Sequence, residues 1–434
     1  MKLRTPARRG GTRREGTVVA VVAVSLVAIL AFVALSLDGG MLMDKRRQAQ
    51  GASDAAALAA AGDLYANWWI TSSAYGAQYK GLDPAGTAKA AAKAAAAANG
   101  YVDGVDGCTV TVNIPPLSGP FAGKACHTEV IISHAQPQYF SRLFGSTTVA
   151  YGARSVSRGR RGGINDAIIC LDPTGKGALS AGGNAVIKVT GAPIQVNSND
   201  YAAMTTSGGN ATMTADQFLV GGTPGFSGVG FTGTIVPNSE PIPDPLASLP
   251  IPSTSGMVVQ SRNKTSFSGN RTVTLQPGVY QGGISITGGT VNLAPGIYYM
   301  DGGGFSVGGQ GNLNGTGVLI YNAPQSNSDT ISLAGGGGIT LSPMLTGPYQ
   351  GILLFQDRTS TAPVSVSGNG SVPMTITGTF YAASATLSVT GNGTSDTIGS
   401  QYISYDLKLG GNGTYFCSWS PDLTPGKREI LLVE

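Results

Sequence analysis

Charged side chains are scarce in this chain. Asp, Glu, Lys and Arg make up only 12% of its 434 residues, about half the share that is usual in soluble globular proteins. Residues 1–16 hold six Lys or Arg and one Glu, a net +5, which leaves −1 for the rest of the +4 chain. No basic surface remains beyond this tail, so we expect no nucleic-acid partner.

Metal-binding and thiol residues are also few. The chain has two histidines, His127 and His134, and no CxxC pair, so nothing in it has the ligand spacing of a zinc site. We expect no metal and no cofactor. An even number of cysteines in an exported chain favours disulfides, and four cysteines allow three pairings among which the sequence does not choose. One pairing joins Cys108 to Cys126 and Cys170 to Cys417.

Paired carboxylates are missing from the distal part of the chain. Glycoside hydrolysis needs two carboxylates about 5–9.5 Å apart. The nearest acidic pair beyond residue 166, Glu240 and Asp244, lies in a proline-rich stretch. Asp301 and Asp357 are isolated candidates whose simpler roles are a turn residue or an ion pair. We therefore expect that the chain is not an enzyme.

A long apolar run is present at residues 17–37. About 20 helical residues cross the ~30 Å hydrocarbon core of a bilayer, so this run predicts a membrane span. Basic residues ahead of the run place the N-terminus in the cytoplasm and the rest of the chain outside it. The four arginines of this topology signal are Arg8, Arg9, Arg13 and Arg14.

Two processed leaders are alternatives to a retained anchor. A signal peptide has a shorter apolar region, and residues 35–38 match its small-residue cleavage site poorly. A prepilin-type leader would place Gly10 before Glu15, but Arg13 and Arg14 stand where apolar residues normally begin. We favour the retained single-pass anchor.

Alanine dominates residues 38–99. Alanine has the highest helix propensity and allows helices to approach closely. We predict one helix from residue 38 to about residue 70, with a kink at Gly39–Gly40, and a second over residues 85–98, which Asn99–Gly100 ends. An aromatic loop with Trp68, Trp69, Tyr75 and Tyr79 joins them into a hairpin.

A juxtamembrane Asp38-Gly-Gly, a basic cluster and the motif Ser-Asp-Ala-Ala-Ala-Leu-Ala at residues 53–59 follow the apolar run. This order resembles the N-terminal segment of TadG-like Flp pilus-assembly proteins over residues 8–62, and more weakly over residues 100–160. The resemblance implies a structural role in a bacterial cytoplasmic (inner) membrane, with the body in the periplasm or at the cell surface. It implies pilus or envelope assembly proteins as partners, and contact with their helices through four residues of the motif helix. These are Asp54, Ala56, Leu58 and Ala60.

Residues 100–160 predict a small α/β unit. Strands are expected at residues 110–112, 130–132 and 147–156, and a short helix at 138–144. Residues 161–166 are read as a linker, and the arginines around it are expected to be solvated. These are Arg154, Arg158, Arg160 and Arg161.

Short segments rich in Val, Ile and Thr, separated by Gly and Asn, fill residues 167–434. Pro-Gly-Val/Ile-Tyr recurs at Pro277 and Pro295, and Gly-Asn-Gly at Gly368, Gly391 and Gly411. A period near 20 without helices predicts a mainly-β domain, a right-handed parallel β-helix. A β-sandwich is the alternative, but it leaves the repeats unexplained. Residues 237–252, with six prolines, predict an extended arm.

Six regions summarise the predicted organisation. They are a cytoplasmic basic tail (1–16), a transmembrane helix (17–37), an alanine-rich helical hairpin (38–99), a small α/β unit (100–160), a linker (161–166) and a β-helix domain (167–434). The predicted function is that of a membrane-anchored accessory of Flp/Tad-type pilus or envelope assembly.

The alternative function is an anchored β-helix that binds or cleaves envelope polysaccharide. Four tyrosines would form its exposed stripe for sugar stacking, or else an internal stack between coils, which we favour. These are Tyr280, Tyr298, Tyr299 and Tyr321.

Overall fold

The computed structural model describes residues 17–67, 74, 81–137, 148–208, 210–334, 336–368, 372, 374–392 and 396–434. The chain forms two compact units, Met1–Arg160 with Glu429–Glu434, and Arg161–Arg428. The basic tail with Arg8, Arg9, Arg13 and Arg14, the aromatic loop and the short helix predicted at 138–144 lie outside the described residues.

The described residues form two helices and 30 strands. The helices are α1 (Thr17–Ala66) and α2 (Thr87–Ala98). The strands, in chain order from β1 to β30, are Cys108–Asn113, His127–Pro137, Thr148–Gly163, Ile168–Cys170, Leu179–Gly182, Val186–Thr190, Ile194–Val196, Met204–Ser207, Thr212–Val220, Phe226–Ser227, Phe231–Val236, Val259–Ser261, Thr265–Phe267, Thr272–Leu275, Gly278–Gln281, Ile284–Ile286, Thr290–Leu293, Gly296–Asp301, Phe305–Val307, Asn312–Ala323, Ile331–Leu333, Ile339–Pro343, Ile352–Gln356, Val364–Ser367, Thr375–Ile376, Thr379–Gly391, Asp396–Ile398, Gln401–Gly411, Thr414–Ser418 and Gly426–Leu432.

Helix α1 combines two different surfaces. It runs 50 residues through Gly39–Gly40 without a break in its helical structure, which corresponds to about 75 Å at 1.5 Å per residue. Its first part is long and apolar enough to cross a membrane, and nearly all of that part is exposed. Its second part buries alanines against the rest of the first unit.

A four-stranded sheet in the order β1-β2-β3-β30 completes the first unit. The strands predicted at 110–112 and 130–132 lie within β1 and β2, and residues 148–156 of the third predicted strand lie within β3. Residue 147 lies outside the described residues. The three strands pair antiparallel in that order. Strand β3 continues to Gly163, so residues 161–163 are strand and not linker. The last strand also differs from expectation, because Glu429–Glu434 belong to this unit and not to the β-helix domain.

The second unit is a parallel β-solenoid of about 11 turns, which confirms the predicted fold class. Its 26 strands form one sheet system in which each strand pairs in parallel with a strand of the next coil. Inward positions alternate with outward ones, as in β21, where Ile331 and Leu333 are buried around Ser332. Stacked glycines with positive φ, such as Gly283 and Gly304, turn the chain where a side chain would strike the neighbouring coil.

The chain enters the solenoid in the middle and not at an end. Strand β4 pairs with β28 on one side and with β7 on the other. Residues 168–236 therefore wind towards one end, and residues 259–418 start at the opposite end and wind back to meet β4. We call these two stretches segment 168–236 and segment 259–418. The proline-rich residues between them contain no strand, as predicted for an extended arm.

Candidate functional site: the docked membrane helix

The motif that follows the apolar run fixes α1 to β3 through hydroxyl and carboxylate groups. Ser155 donates a short hydrogen bond to Asp54 Oδ1, and Gln50 Nε2 lies 2.8 Å from the same carboxylate oxygen. Ser53 Oγ and Ser155 Oγ are 2.6 Å apart, and both side chains are fully buried. One turn later, Ser157 Oγ donates to the backbone carbonyl of Ala57 over 2.6 Å. The polar residues of the motif thus hold the helix on its own sheet.

Alanines of the motif pack against α2. Ala88, Ala92 and Ala96 form one fully buried face of α2 and share a core with Ala56 and Ala60 of α1. Because these side chains are small, the two helix backbones can lie close together. Asp63 locks the far end of the pair: its Oδ1 accepts hydrogen bonds from Thr87 Oγ1 at 2.7 Å and from Asn67 Nδ2 at 2.9 Å.

The structure differs from the predicted partner-helix contact at two of its four positions. Ala56 and Ala60 are fully buried by their own chain, so neither has surface left for another subunit. Asp54 is half-buried and engaged with Ser155, and Leu58 is half-buried. The exposed surface lies earlier on α1, at residues such as Met43, Arg46 and Arg47.

A glycine in β3 makes the close approach of the helix possible, although no local sequence pattern distinguishes it from the other glycines. A Cβ on Gly159 would strike the carbonyl group of Ala61 in α1. Gly159 donates its backbone N–H to the carbonyl of Cys126 over 2.8 Å. The strand backbone therefore lies directly against the helix backbone at this point.

Charged groups lie on the side of the sheet that faces away from α1. Glu129, fully buried on β2, accepts hydrogen bonds from Arg154 Nε at 2.7 Å, Ser118 Oγ at 2.5 Å and Asn113 Nδ2 at 2.8 Å. Burial by itself would raise the pKa of Glu129, but these hydrogen bonds outweigh it and lower that pKa to about 2. Arg154 also forms a 2.7 Å ion pair with Glu434.

Three of the arginines near the end of the first unit form ion pairs with glutamates of the same unit. Arg158 and Arg160 lie 3.4 and 2.7 Å from Glu429 Oε2, and Arg154 binds Glu129 and Glu434. Because Glu429 and Glu434 come from the far end of the chain, their pairing with these arginines could not be predicted from the local sequence.

The predicted disulfides are wrong, because all four cysteines are free thiols. Cys108 pairs with His134 at one end of the β1–β2 hairpin, whereas Cys126 precedes the other end of β2. Along a strand this separates them by roughly 25 Å, and a disulfide needs Cα atoms within about 7 Å. Cys170 lies beside Val196 and Ser404, but Cys417 lies on a different face of the coil, beside Val189.

These thiols are also poor nucleophiles. Burial raises the pKa of Cys417 to about 12 and raises the pKa values of Cys108, Cys126 and Cys170 as well. A thiol reacts as its thiolate, so a raised pKa suppresses thiol chemistry at neutral pH.

The four tyrosines of the alternative function divide between the inside and the outside of the solenoid. Tyr280 and Tyr298 stack inside, with ring centroids 6.0 Å apart. Tyr299 and Tyr321 point outward at 4.9 Å from each other, and Tyr321 is only 1% exposed. An outer apolar cluster that includes Leu246 and Leu249 of the arm covers Tyr321. The internal stack is confirmed for the first pair.

Arg358 clamps the arm onto this outer face. Its guanidinium donates to the backbone carbonyls of Leu246 and Leu249 at 2.7 and 2.6 Å, and to Tyr381 Oη at 2.8 Å. Tyr381 in turn donates to Asp244 of the arm over 2.6 Å. Asp357, an isolated candidate for catalysis, accepts hydrogen bonds from Tyr321 and from the turn at Thr359. This is the turn role that the sequence favoured.

One pair of carboxyl groups escaped the sequence analysis because 234 positions separate its members. The carboxyl group of Asp406 lies near that of Asp172, close to the place where β4 meets β28. Burial, together with the negative charge and hydrogen bond of Asp172, raises the pKa of Asp406 to about 6. Backbone N–H groups of Thr174 and Gly175 hold Asp172 Oδ1, each at 2.9 Å.

Comparison with known proteins identifies the segment around α1. Residues 16–63 match the Tad family, described as Flp pilus-assembly TadE/G-like. This confirms the resemblance predicted from the motif, over a segment that ends within α1. No curated protein and no solved structure matches the chain. The apolar helix and the Tad segment together indicate a single-pass membrane protein.

Proposed function

We propose that this protein is a membrane-anchored structural component of Flp/Tad-type pilus or cell-envelope assembly, with its N-terminus in the cytoplasm and its solenoid exported. The observation that carries the proposal is the coincidence of the Tad match with one continuous helix. That helix supplies an exposed apolar span and then docks onto the sheet of the first unit through the motif at residues 53–59. The motif thus fixes the anchor helix to the sheet of the first unit.

The action proposed is packing and display without catalysis. Among the acids considered for catalysis, Asp357 serves a turn and Asp301 accepts a hydrogen bond from Gln325. For the polysaccharide alternative, the tyrosine stripe would have to be exposed, and Tyr298 and Tyr321 are buried. We expect partners to contact the exposed surface of α1 that lies between the apolar span and the docked alanines, where Met43 is 71% exposed.

Photocrosslinking in cells that assemble Flp/Tad pili tests this proposal. A photoreactive amino acid at Met43 or Arg47 is expected to capture pilus-assembly proteins, since both side chains face outward. The matched control is Ala57 on the same helix, which is fully buried and should capture no partner. Capture of only the protein's own copies at Met43 and Arg47 would remove the pilus-assembly role.

A further inference from the structure

Both ends of the solenoid are open in the described part of the chain. At one end, β12, β13 and β14 pair only with β15, β16 and β17. At the other end, β10 and β11 pair only with β8 and β9. We call these the β12–β14 end and the β10–β11 end. Unpaired strand edges are templates for another strand, and solenoids normally cover them with a polar cap.

The two ends carry opposite charge. Between residues 189 and 260 the chain has four acidic residues and no Lys or Arg. Of these acids, Asp200 and Asp216 belong to segment 168–236, which forms the β10–β11 end, and Asp216 is exposed. Between residues 261 and 293 it has Arg262, Lys264 and Arg271 and no acidic residue. Like ends therefore repel each other and unlike ends attract.

Each end also leaves apolar side chains of the core incompletely covered. Phe231 and Ile235 at the β10–β11 end, and Phe267 and Val273 at the β12–β14 end, are only partly buried against the core. Phe226 and Val229 are 36% and 83% exposed beside them. A coil stacked on either end would bury these groups, as every inner coil already does for its neighbour.

Within the solenoid, two coils that the chain does not connect directly already stack on each other. Segment 259–418 ends in β28 and β29, and these stack in parallel on β4, β5 and β6 of segment 168–236, which are far away in sequence. Coils therefore stack here without a direct chain connection between them. Both segments wind in the same direction along the axis, so a second copy continues the stack when its β12–β14 end meets the β10–β11 end.

One outward column of paired residues sets the expected register. It runs unbroken from end to end through Thr274, Asn292, Asn314, Thr340, Thr375, Thr397, Phe416, Lys188, Thr214 and Thr232. Extended into a second copy, it places Thr232 beside Thr274 of the next chain. From these observations we propose that copies of this protein associate head to tail through the two solenoid ends, to give a continuous parallel β-stack.

Disulfide trapping of the full-length protein tests the proposal, both in cells and after purification in detergent. Adjacent parallel strands lie about 4.8 Å apart, within the reach of a disulfide. The T232C/T274C variant, built on C126S to remove the one native cysteine that is not fully buried, is expected to give a ladder of crosslinked oligomers on oxidation. The positive control is K188C/F416C, which occupies the same column at the internal joint and should crosslink within one chain.

Three variants serve as negative controls for the crosslinking. No ladder is expected from T232C alone, from T274C alone or from T232C/T346C. The last of these places the second thiol at an exposed position outside the column.

Charge reversal tests the attraction between the two ends. In the T232C/T274C background, K264E/R271E is expected to reduce the crosslinked fraction several-fold, and adding D216K is expected to restore it.

Two results would overturn the head-to-tail arrangement. One is an internal K188C/F416C crosslink without any T232C/T274C oligomers in concentrated protein. The other is equal crosslinking by T274C alone, which would show a symmetric contact between like ends.

Discussion

At the scale of single residues, Glu129 shows how the first unit uses a buried charge. Its carboxylate satisfies donors from Arg154, Ser118 and Asn113 at once, and its pKa falls to about 2. A carboxyl whose folded pKa is lowered stabilises the fold above its unfolded pKa of 4.5, and this stability is lost as the pH falls towards about 2. At neutral pH the full contribution is therefore present.

Replacing Glu129 by Gln should destabilise the first unit by about 2–3 kcal/mol at pH 7, because it leaves the charge of Arg154 poorly compensated. Hydrogen exchange of the β2 amides in the detergent-solubilised chain measures this as a lower free energy of opening. The matched control is Glu434→Gln, which removes the exposed partner of the same arginine and should cost less than about 1 kcal/mol. Equal effects of the two variants would contradict the assignment.

Asp406 makes the opposite pH prediction. Its folded pKa of about 6 lies above the usual value of 3.8, so its contribution to the stability of the fold is present below about pH 4 and is lost as the pH rises through about 6. Asp406→Asn keeps a donor to Asp172 without the charge. We expect it to raise the unfolding temperature of the solenoid at pH 8 by a few degrees and to leave it almost unchanged at pH 4.

Calorimetry of the purified full-length chain at the two pH values measures this difference. Because the same variant is measured at two pH values, the result at pH 4 serves as the control for the result at pH 8. A stabilisation of the same size at pH 4 and pH 8 would contradict the raised pKa of Asp406.

At the scale of elements, the close approach of α1 to β3 depends on a glycine. Gly159→Ala should destabilise the docked half of α1 by about 1–3 kcal/mol, because its Cβ meets the carbonyl of Ala61. Gly51→Ala is the matched control: it lies on the open face of the same helix, where a Cβ meets nothing, and should stabilise by about 0.5–1 kcal/mol. Hydrogen exchange over residues 52–64 separates the two, and similar protection in both variants would argue against tight docking.

Elements with a local signal were predicted well. The apolar run and the alanine-rich stretch predicted the helices, and the period near 20 residues predicted the solenoid. Each of these patterns is local in the sequence, because it extends over one helix or recurs with each coil. The start of α2 moved only from residue 85 to Thr87. The docking role of the motif was missed, since Ser155 and Ser157 lie about 100 residues away from it.

At the scale of the whole molecule, the prediction failed where distant parts of the chain pair. The sequence indicates coils but not their order, so the entry of the chain through β4 and the return of the arm were not foreseen. Strand β30 reads like any other short strand, and its place beside β3 depends on long-range pairing. Likewise, cysteine parity suggested disulfides, but the register keeps Cys108 far from Cys126.

In the proposed arrangement of the whole molecule, one helix anchors an exported solenoid. Thiol labelling with a membrane-impermeant maleimide tests it most directly, in C126S cells whose cytoplasmic membrane is intact and whose outer envelope is permeable to the reagent. Single cysteines replace Thr12 in the basic tail and Thr346, which is exposed on the solenoid. We expect T346C to be labelled in these cells and T12C to be labelled only after lysis. Labelling of T12C in intact cells, or protection of T346C until lysis, would contradict it.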